Sequence, residues 1–175
     1  MVVVGGGNAG YCAAHAAARS GADVVLLEKA PEPEAGGNSY YTAGAFRVAF
    51  RSVDDLLPVL VHDDRIAASD VPAYPEDEFV ADWMRLTGGR ADPDLVRLVV
   101  HSSIATVGWL ADLGVRWRLM YERQAYRSGD GWRFFGGLPL GTVDGGRGLM
   151  AGHRRAAREE GVEVRFGAAV TDLVL

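Results

Sequence analysis

The sequence predicts an α/β fold with a doubly wound parallel sheet, and three observations predict it. A β-branched run, Val2 to Val4, leads directly into Gly5-x-Gly7-x-x-Gly10. An alanine-rich stretch over residues 8–20 follows and is closed by Gly21, a residue suited to a helix C-terminus. Then DVVLLE, residues 23–28, is apolar on both faces, as strands of buried parallel sheets are. Strand, glycine turn, helix and strand make one βαβ unit, for which a right-handed crossover is expected.

The remaining elements follow in order. Residues 29–52 carry two Pro-Glu steps and then GGNSYYTAGAFRVAF, which predicts a loop, a glycine turn and a short strand near 45–50. A short helix is expected over 53–61, a surface loop through DVPAYPED, and a helix over 76–86. Asp92 and Pro93 supply an N-cap and a first helical residue for a longer helix to about residue 113. Leu95, Leu98, Val99, Ile104, Val107, Leu110 and Leu113 keep helical spacing along it. Strand pieces at 115–119 and 132–135 flank a polar loop, with Trp132, Phe134 and Phe135 read as core. Gly145-Gly146-Arg147-Gly148 opens a last helix, to about Glu160. VEVRF, residues 162–166, is a third parallel strand, and 169–175 begins a further one. The nucleotide-binding parts are thus 1–49 and 145–175, with a helical and irregular insertion over about 50–144.

The first turn carries chemistry. Gly5 permits a tight turn, Gly7 lets the backbone approach a pyrophosphate where a Cβ would collide, and Gly10 lets the helix lie close to the strand. The helix N-terminus offers free N–H groups and positive dipole to phosphates. Glu28, at the end of the second strand, stands where a carboxylate accepts hydrogen bonds from adenosine ribose hydroxyls. Its charge would repel a 2′-phosphate, so NADP is disfavoured. These features point to a dinucleotide. Gly36-Gly37-Asn38-Ser39 fits either a second close-approach loop along a long dinucleotide or a plain surface turn.

Composition narrows the classes. The 175 residues are 49% hydrophobic and 23% charged, as in a globular domain. The formal net charge of −5 and the absence of a basic block argue against nucleic-acid binding. Cys12 is the single cysteine, so no internal disulfide forms, in keeping with a cytoplasmic location. No apolar run reaches the ~18 residues a membrane helix needs. His15, His62, His101 and His153 show no metal-ligand spacing and are expected to be solvated or capping, and Asp63-Asp64 to be a polar loop. Cys12 is expected to be a small core residue. Gly145 to Gly148 fit either an anion site or close helix packing.

Longer stretches carry a resemblance. EKAP, GGNS and TAG in succession, then LVHDD at 60–64, DVPAYPEDEF, MRLTGGRADPDL, WLADLGVRW, and GGRGLM before GVEVRF, resemble the flavoprotein subunits of the fumarate reductase and succinate dehydrogenase family. The resemblance covers essentially the whole chain and is nearest the tricarballylate dehydrogenase branch. It implies a glutathione-reductase-type FAD-binding Rossmann domain. It implies that Gly5, Gly7, Asn8, Ala9 and Gly10 meet the FAD pyrophosphate and that Glu28 and Lys29 meet the ribose. Gly36, Gly37, Asn38 and Ser39 would run along the pyrophosphate and ribityl chain. Thr42, Ala43 and Gly44 would pass the isoalloxazine, and Ala169 and Val170 the adenine. Some family members attach FAD through a histidine in the second glycine loop. Asn38 and Ser39 stand there instead, so non-covalent FAD is expected.

Family members are much longer, and their capping domain and C-terminal segment carry the groups that clamp substrate carboxylates. No catalytic residue or metal ligand is therefore assigned, and the chain reads as an N-terminal fragment of a longer flavoenzyme. The parent would oxidise a CH–CH bond beside a carboxylate to an alkene, or the reverse, with tricarballylate to cis-aconitate as the narrower form. Its partners would be a small carboxylate and an electron acceptor whose identity the sequence does not give. Another enzyme of the same family, an NAD-binding dehydrogenase domain, and a catalytically inert FAD-binding module remain as alternatives.

Overall fold

A computed structural model describes residues 1–174. In chain order the elements are β1 (Val2–Val4), α1 (Asn8–Arg19), β2 (Val25–Leu27), α2 (Gly37–Tyr41), β3 (Ala45–Phe46), β4 (Ser69–Asp70), α3 (Glu76–Leu86), α4 (Pro93–Asp112), β5 (Trp117–Leu119), α5 (Tyr121–Gln124), β6 (Ala125–Ser128), β7 (Gly131–Phe134), β8 (Leu140–Thr142), α6 (Gly145–Glu159) and β9 (Glu163–Arg165). They form two compact units. One comprises Met1–Gly44, Leu113–Val115 and the stretch from Val143 onward; the other comprises Ala45–Asp112 and Arg116–Thr142.

The first unit is built on a parallel sheet in the order β1-β2-β9. Its register pairs Val3 with Leu26 and Leu26 with Val164. Helices α1 and α6 share a core with it: Val3, Leu26, Tyr11, Ala14, Ala17, Met150, Ala157 and Val162 are buried together. Ala14, Ala17 and Ala157 are small because helices this close leave little room beyond a Cβ. Val2 and Val4, which project to the other face of β1, are 63% and 59% exposed, and Val25 and Leu27 of β2 are half-buried. After β9 the chain runs back past β2, with the Gly167 and Ala168 N–H groups donating to the Ala30 and Glu28 carbonyls. Residues 168–174 then have no regular structure, so the final strand expected from Ala169 does not form among them. Ala169 and Val170 are exposed and unpaired with any strand.

The second unit holds two small sheets, β3-β8-β5 and β4-β7-β6. Trp117 is fully buried in it, its ring edge-on to Phe46. The helix expected over 53–61 is only a 3-10 turn at Val53–Asp55, and the strand near 45–50 shortens to Ala45–Phe46. Asp92 caps α4 by accepting from the Asp94 and Leu95 N–H groups, as its position before Pro93 predicts. The buried face of α4 is Val96, Val100, Val107 and Leu110, whereas Leu95, Leu98 and Val99 are exposed. An apolar residue on a helix of mean positive hydropathy does not by itself say which face turns inward. Phe134 is buried, Trp132 partly so, and Phe135 is 51% exposed and not core. Asp63 caps a 3-10 turn and pairs with Arg65, so Asp63-Asp64 is a polar loop.

Candidate functional site

The turn between β1 and α1 has the features of an anion cradle. Gly5 adopts φ +96°, a left-handed conformation that favours glycine. A Cβ on Gly10 would overlap the Gly5 carbonyl oxygen and come within 3.8 Å of Val3, so Gly10 is required by the fold itself. Gly7 is different. Its φ is −87°, and a Cβ there would meet Ser39 Oγ at 3.5 Å and the Gly36 carbonyl oxygen at 3.9 Å, both ordinary contacts. No contact among the described residues demands glycine at position 7.

The donors are also in place. Among the described residues, the Ala9 and Gly10 N–H groups at the start of α1 have no acceptor, and no side chain caps this helix. Unpaired amides at a helix start, backed by the helix dipole, suit a phosphate. The Asn8 N–H donates to Ser39 Oγ at 3.1 Å, which ties the second glycine segment to the first.

Glu28 is buried at the end of β2, and its two oxygens have separate tasks. Oε2 accepts from the Gly6 N–H at 2.6 Å and Oε1 from the Ala30 N–H at 2.8 Å. The carboxylate thus locks the turn to the sheet, and each oxygen keeps a lone pair for a further donor. Lys29 beside it is exposed.

The second glycine segment is more structured than a loop. Gly36, at φ +119°, caps α2, which contains Gly37, Asn38 and Ser39. The Thr42 hydroxyl donates to the Ser39 carbonyl and accepts from the Gly44 N–H, fixing Thr42, Ala43 and Gly44 as a tight corner. The start of α6 backs this corner. The Gly146 N–H donates to the Thr42 carbonyl at 2.9 Å, and a Cβ on Gly146 would overlap the Ser39 carbonyl oxygen. A Cβ on Gly148 would overlap the Val143 carbonyl oxygen. Of the two readings of Gly145 to Gly148, close packing is the one the structure adopts.

His15 and His153 are not solvated. Both are completely buried between α1 and α6. His15 Nδ1 lies 2.5 Å from Glu160 Oε2, His15 Nε2 lies 3.2 Å from His153 Nδ1, and His153 Nε2 lies 2.8 Å from Asn8 Oδ1. Burial, and then the charge of His15, push the His153 imidazole down to about 4. Burial also lifts the Cys12 thiol to about 11; this side chain is only partly buried. Sequence reading missed the pair because the two residues stand 138 positions apart. The available signal was a histidine on the small-residue face of each of two glycine-led helices. His62 and His101 are exposed, as expected. No group of metal ligands occurs among the described residues.

A parallel sheet with a glycine turn, free amides at the helix start and an acidic strand end defines a dinucleotide-binding α/β domain. Comparison with known proteins identifies it further. The FAD binding domain family matches residues 1–175, and the chain belongs to that family. Its cofactor is accordingly FAD, and the free amides, the Gly7 opening and the Glu28 lone pairs fit that group. A probable fumarate reductase of Shewanella frigidimarina is 30% identical over the whole chain, which matches 26% of that protein. A urocanate reductase of Eggerthella lenta is 34% identical over 78% of the chain and 18% of its own length. The open conformation of a flavocytochrome c3 fumarate reductase superposes with a TM-score of 0.68 at 28% identity, covering 99% of this chain and 27% of that one. The chain thus spans about a quarter or less of these relatives. No described helix is long and apolar enough to cross a membrane.

Proposed function

We propose that this chain is the FAD-holding part of a flavin-dependent oxidoreductase that interconverts C=C and CH–CH bonds beside a carboxylate. The observation that carries the reading is the 30% identity to a probable fumarate reductase along the entire chain, glycine turn and second glycine segment included. Relatives named for fumarate and for urocanate both act on alkenes conjugated to a carboxylate, which supports that substrate class. Tricarballylate to cis-aconitate is the narrower form, resting on the resemblance of residues 60–117 alone.

Bound FAD supplies two-electron redox chemistry; the protein supplies binding and orientation. In this reading the Ala9 and Gly10 amides, with Gly5, Gly7 and Asn8, hold the pyrophosphate, and Glu28 with Lys29 holds the ribose. Gly36, Gly37, Asn38 and Ser39 follow the chain toward the ring, Thr42 to Gly44 border the ring, and Ala169 and Val170 border the adenine. FAD is held without a covalent bond. The carboxylate clamp and proton donor lie outside these residues, and the electron acceptor is a separate partner.

The test is reconstitution with FAD followed by acid precipitation, which releases all flavin to the supernatant if no covalent bond exists. The longer coding region is then assayed with fumarate and reduced viologen, and with tricarballylate and an artificial acceptor. A preparation that binds NADH and no flavin overturns the cofactor assignment. A flavoprotein inert toward every unsaturated or saturated mono-, di- and tricarboxylate, urocanate included, overturns the substrate class.

A further inference from the structure

Two fully buried histidines occupy positions where aliphatic residues would pack between α1 and α6. Their rings are stacked, 5.4 Å between centroids at 14°, and Tyr11 stacks on His153 at 5.4 Å. All four imidazole nitrogens are engaged, and the hydrogen-bonded chain they form ends on Asn8, the first residue of α1. At its other end Glu160 is held by Arg19 at 2.6 Å.

We propose that the chain Glu160–His15–His153 sets the orientation of the Asn8 side-chain amide at the pyrophosphate turn, and that FAD binding draws a proton from solvent into this chain. His15, His153 and Glu160 are positioning residues; Asn8 is the group that meets the cofactor. The inference rests on FAD occupying the turn after β1.

The chain has three gaps: amide to His153, His153 to His15, and His15 to Glu160. Each holds one proton. With Asn8 Oδ1 facing His153, as in the structure, that imidazole donates from Nε2 and accepts at Nδ1. His15 then donates from Nε2, and the 2.5 Å gap to Glu160 needs a proton of its own. With the amide reversed, Asn8 Nδ2 supplies the first proton, every imidazole bond reverses, and the chain carries one proton fewer. The two orientations differ in what they offer a ligand. Oδ1 toward His153 leaves the NH2 group, which makes no hydrogen bond among the described residues, to donate to an anion. The reversed amide presents an oxygen, which a pyrophosphate repels. A diphosphate therefore selects the protonated chain by linkage.

Several groups surround the pair, Arg158 of α6 among them through its charge on Tyr11. On α1, Tyr11 stacks on both rings, and the Cys12 thiol, neutral because burial raises it, lies 4.0 Å from Asn8 Oδ1. On α6, Arg154 faces Tyr11, and Glu160 follows the helix end. From β2, Glu28 faces Gly6 and acts on Tyr11. Glu160 is the acidic group in hydrogen-bond contact with an imidazole.

The experiment is calorimetry of FAD binding in buffers of different ionisation enthalpy, from about pH 6 to about pH 9, with dissociation constants from flavin fluorescence. Wild-type protein takes up a proton, up to one per FAD, and its affinity falls by as much as about tenfold per pH unit on the alkaline side. His153→Leu binds FAD at least about tenfold more weakly with no proton uptake, and Asn8→Ala adds nothing to it in a double-mutant cycle. Should His153→Leu not fold, Glu160→Gln decides: lost uptake supports the proposal and unchanged uptake overturns it. FAD binding by the wild type without proton uptake, or independent additive losses from His153→Leu and Asn8→Ala, also overturns it. Absence of FAD binding by the wild type removes the cofactor assignment instead, and the inference with it.

Discussion

Helices α1 and α6 both begin on glycine clusters, and the two clusters do opposite work. At α1 the amides of Ala9 and Gly10 are left without acceptors among the described residues, and a Cβ on Gly7 would meet its neighbours only at ordinary contact distances. At α6 the Gly146 amide is taken by the Thr42 carbonyl, and Gly146 and Gly148 are pressed against backbone oxygens. One cluster leaves its amides unused; the other is closed onto the segment from Ser39 to Thr42. The difference teaches that a glycine run reports close approach, and that what approaches is decided by the neighbouring chain.

The largest effects expected come from the glycines that face backbone. Gly10→Ala and Gly146→Ala each drive a Cβ into a carbonyl oxygen that has no freedom to move, and overpacking of this kind costs about 1–3 kcal/mol or more. Thermal unfolding of the apo-protein should show both losses. Equal stability for either variant would break the claim that the two clusters are both sterically fixed.

The next effect is acid sensitivity where the two helices meet. His153 stays neutral in the fold down to about 4, against an ordinary value of 6.5. The unfolded chain therefore binds more protons between those values, so stability is full above pH 6.5 and is lost as pH falls toward 4. The loss amounts to about 3 kcal/mol, at 1.36 kcal/mol per pKa unit. Denaturant titrations across that window check it, and His153→Leu should flatten the profile.

Glu28→Gln sharpens the view that the first turn is held from the sheet. The variant keeps one acceptor oxygen and loses the charge shared between the Gly6 and Ala30 amides, each such charged hydrogen bond being worth about 1.5–3 kcal/mol. A drop in apo-protein stability of about 2 kcal/mol is expected, together with weaker FAD binding. The smallest change in stability and the most diagnostic result is Gly7→Ala. It should leave apo-protein stability within about 0.5 kcal/mol while weakening FAD at least about tenfold. A destabilised apo-protein with unchanged FAD affinity would show that Gly7 serves the fold and not the ligand.

Much of this was legible in the sequence. The order of β1, α1, β2, α6 and β9 follows from periodicity and glycine placement, because each of these elements is specified within its own stretch. The cap of α4 was legible at Asp92-Pro93 for the same reason. The inward face of α4 was not, since Leu95 and Leu98 look as apolar as Val96 and Val100 and only packing separates them. That residues 168–174 form no strand was also not legible, because a strand needs a partner and the sequence names none. At the site, the glycine turn and the place of Glu28 at a strand end were legible, whereas the bonds from Glu28 to the Gly6 and Ala30 amides, the tie from Asn8 to Ser39 and the histidine pair were invisible.

The sequence by itself determined a glycine turn between a strand and a helix, an acidic end on the next strand, and hence a dinucleotide fold. These are local properties of spacing and side-chain size. Only the tertiary structure decided which glycines are pressed against backbone and which are not, that Glu28 binds the turn as well as standing beside it, and that His15 and His153 form one buried chain ending at Asn8. Those outcomes depend on which atoms meet across long separations in sequence, and burial then changes their chemistry by removing water.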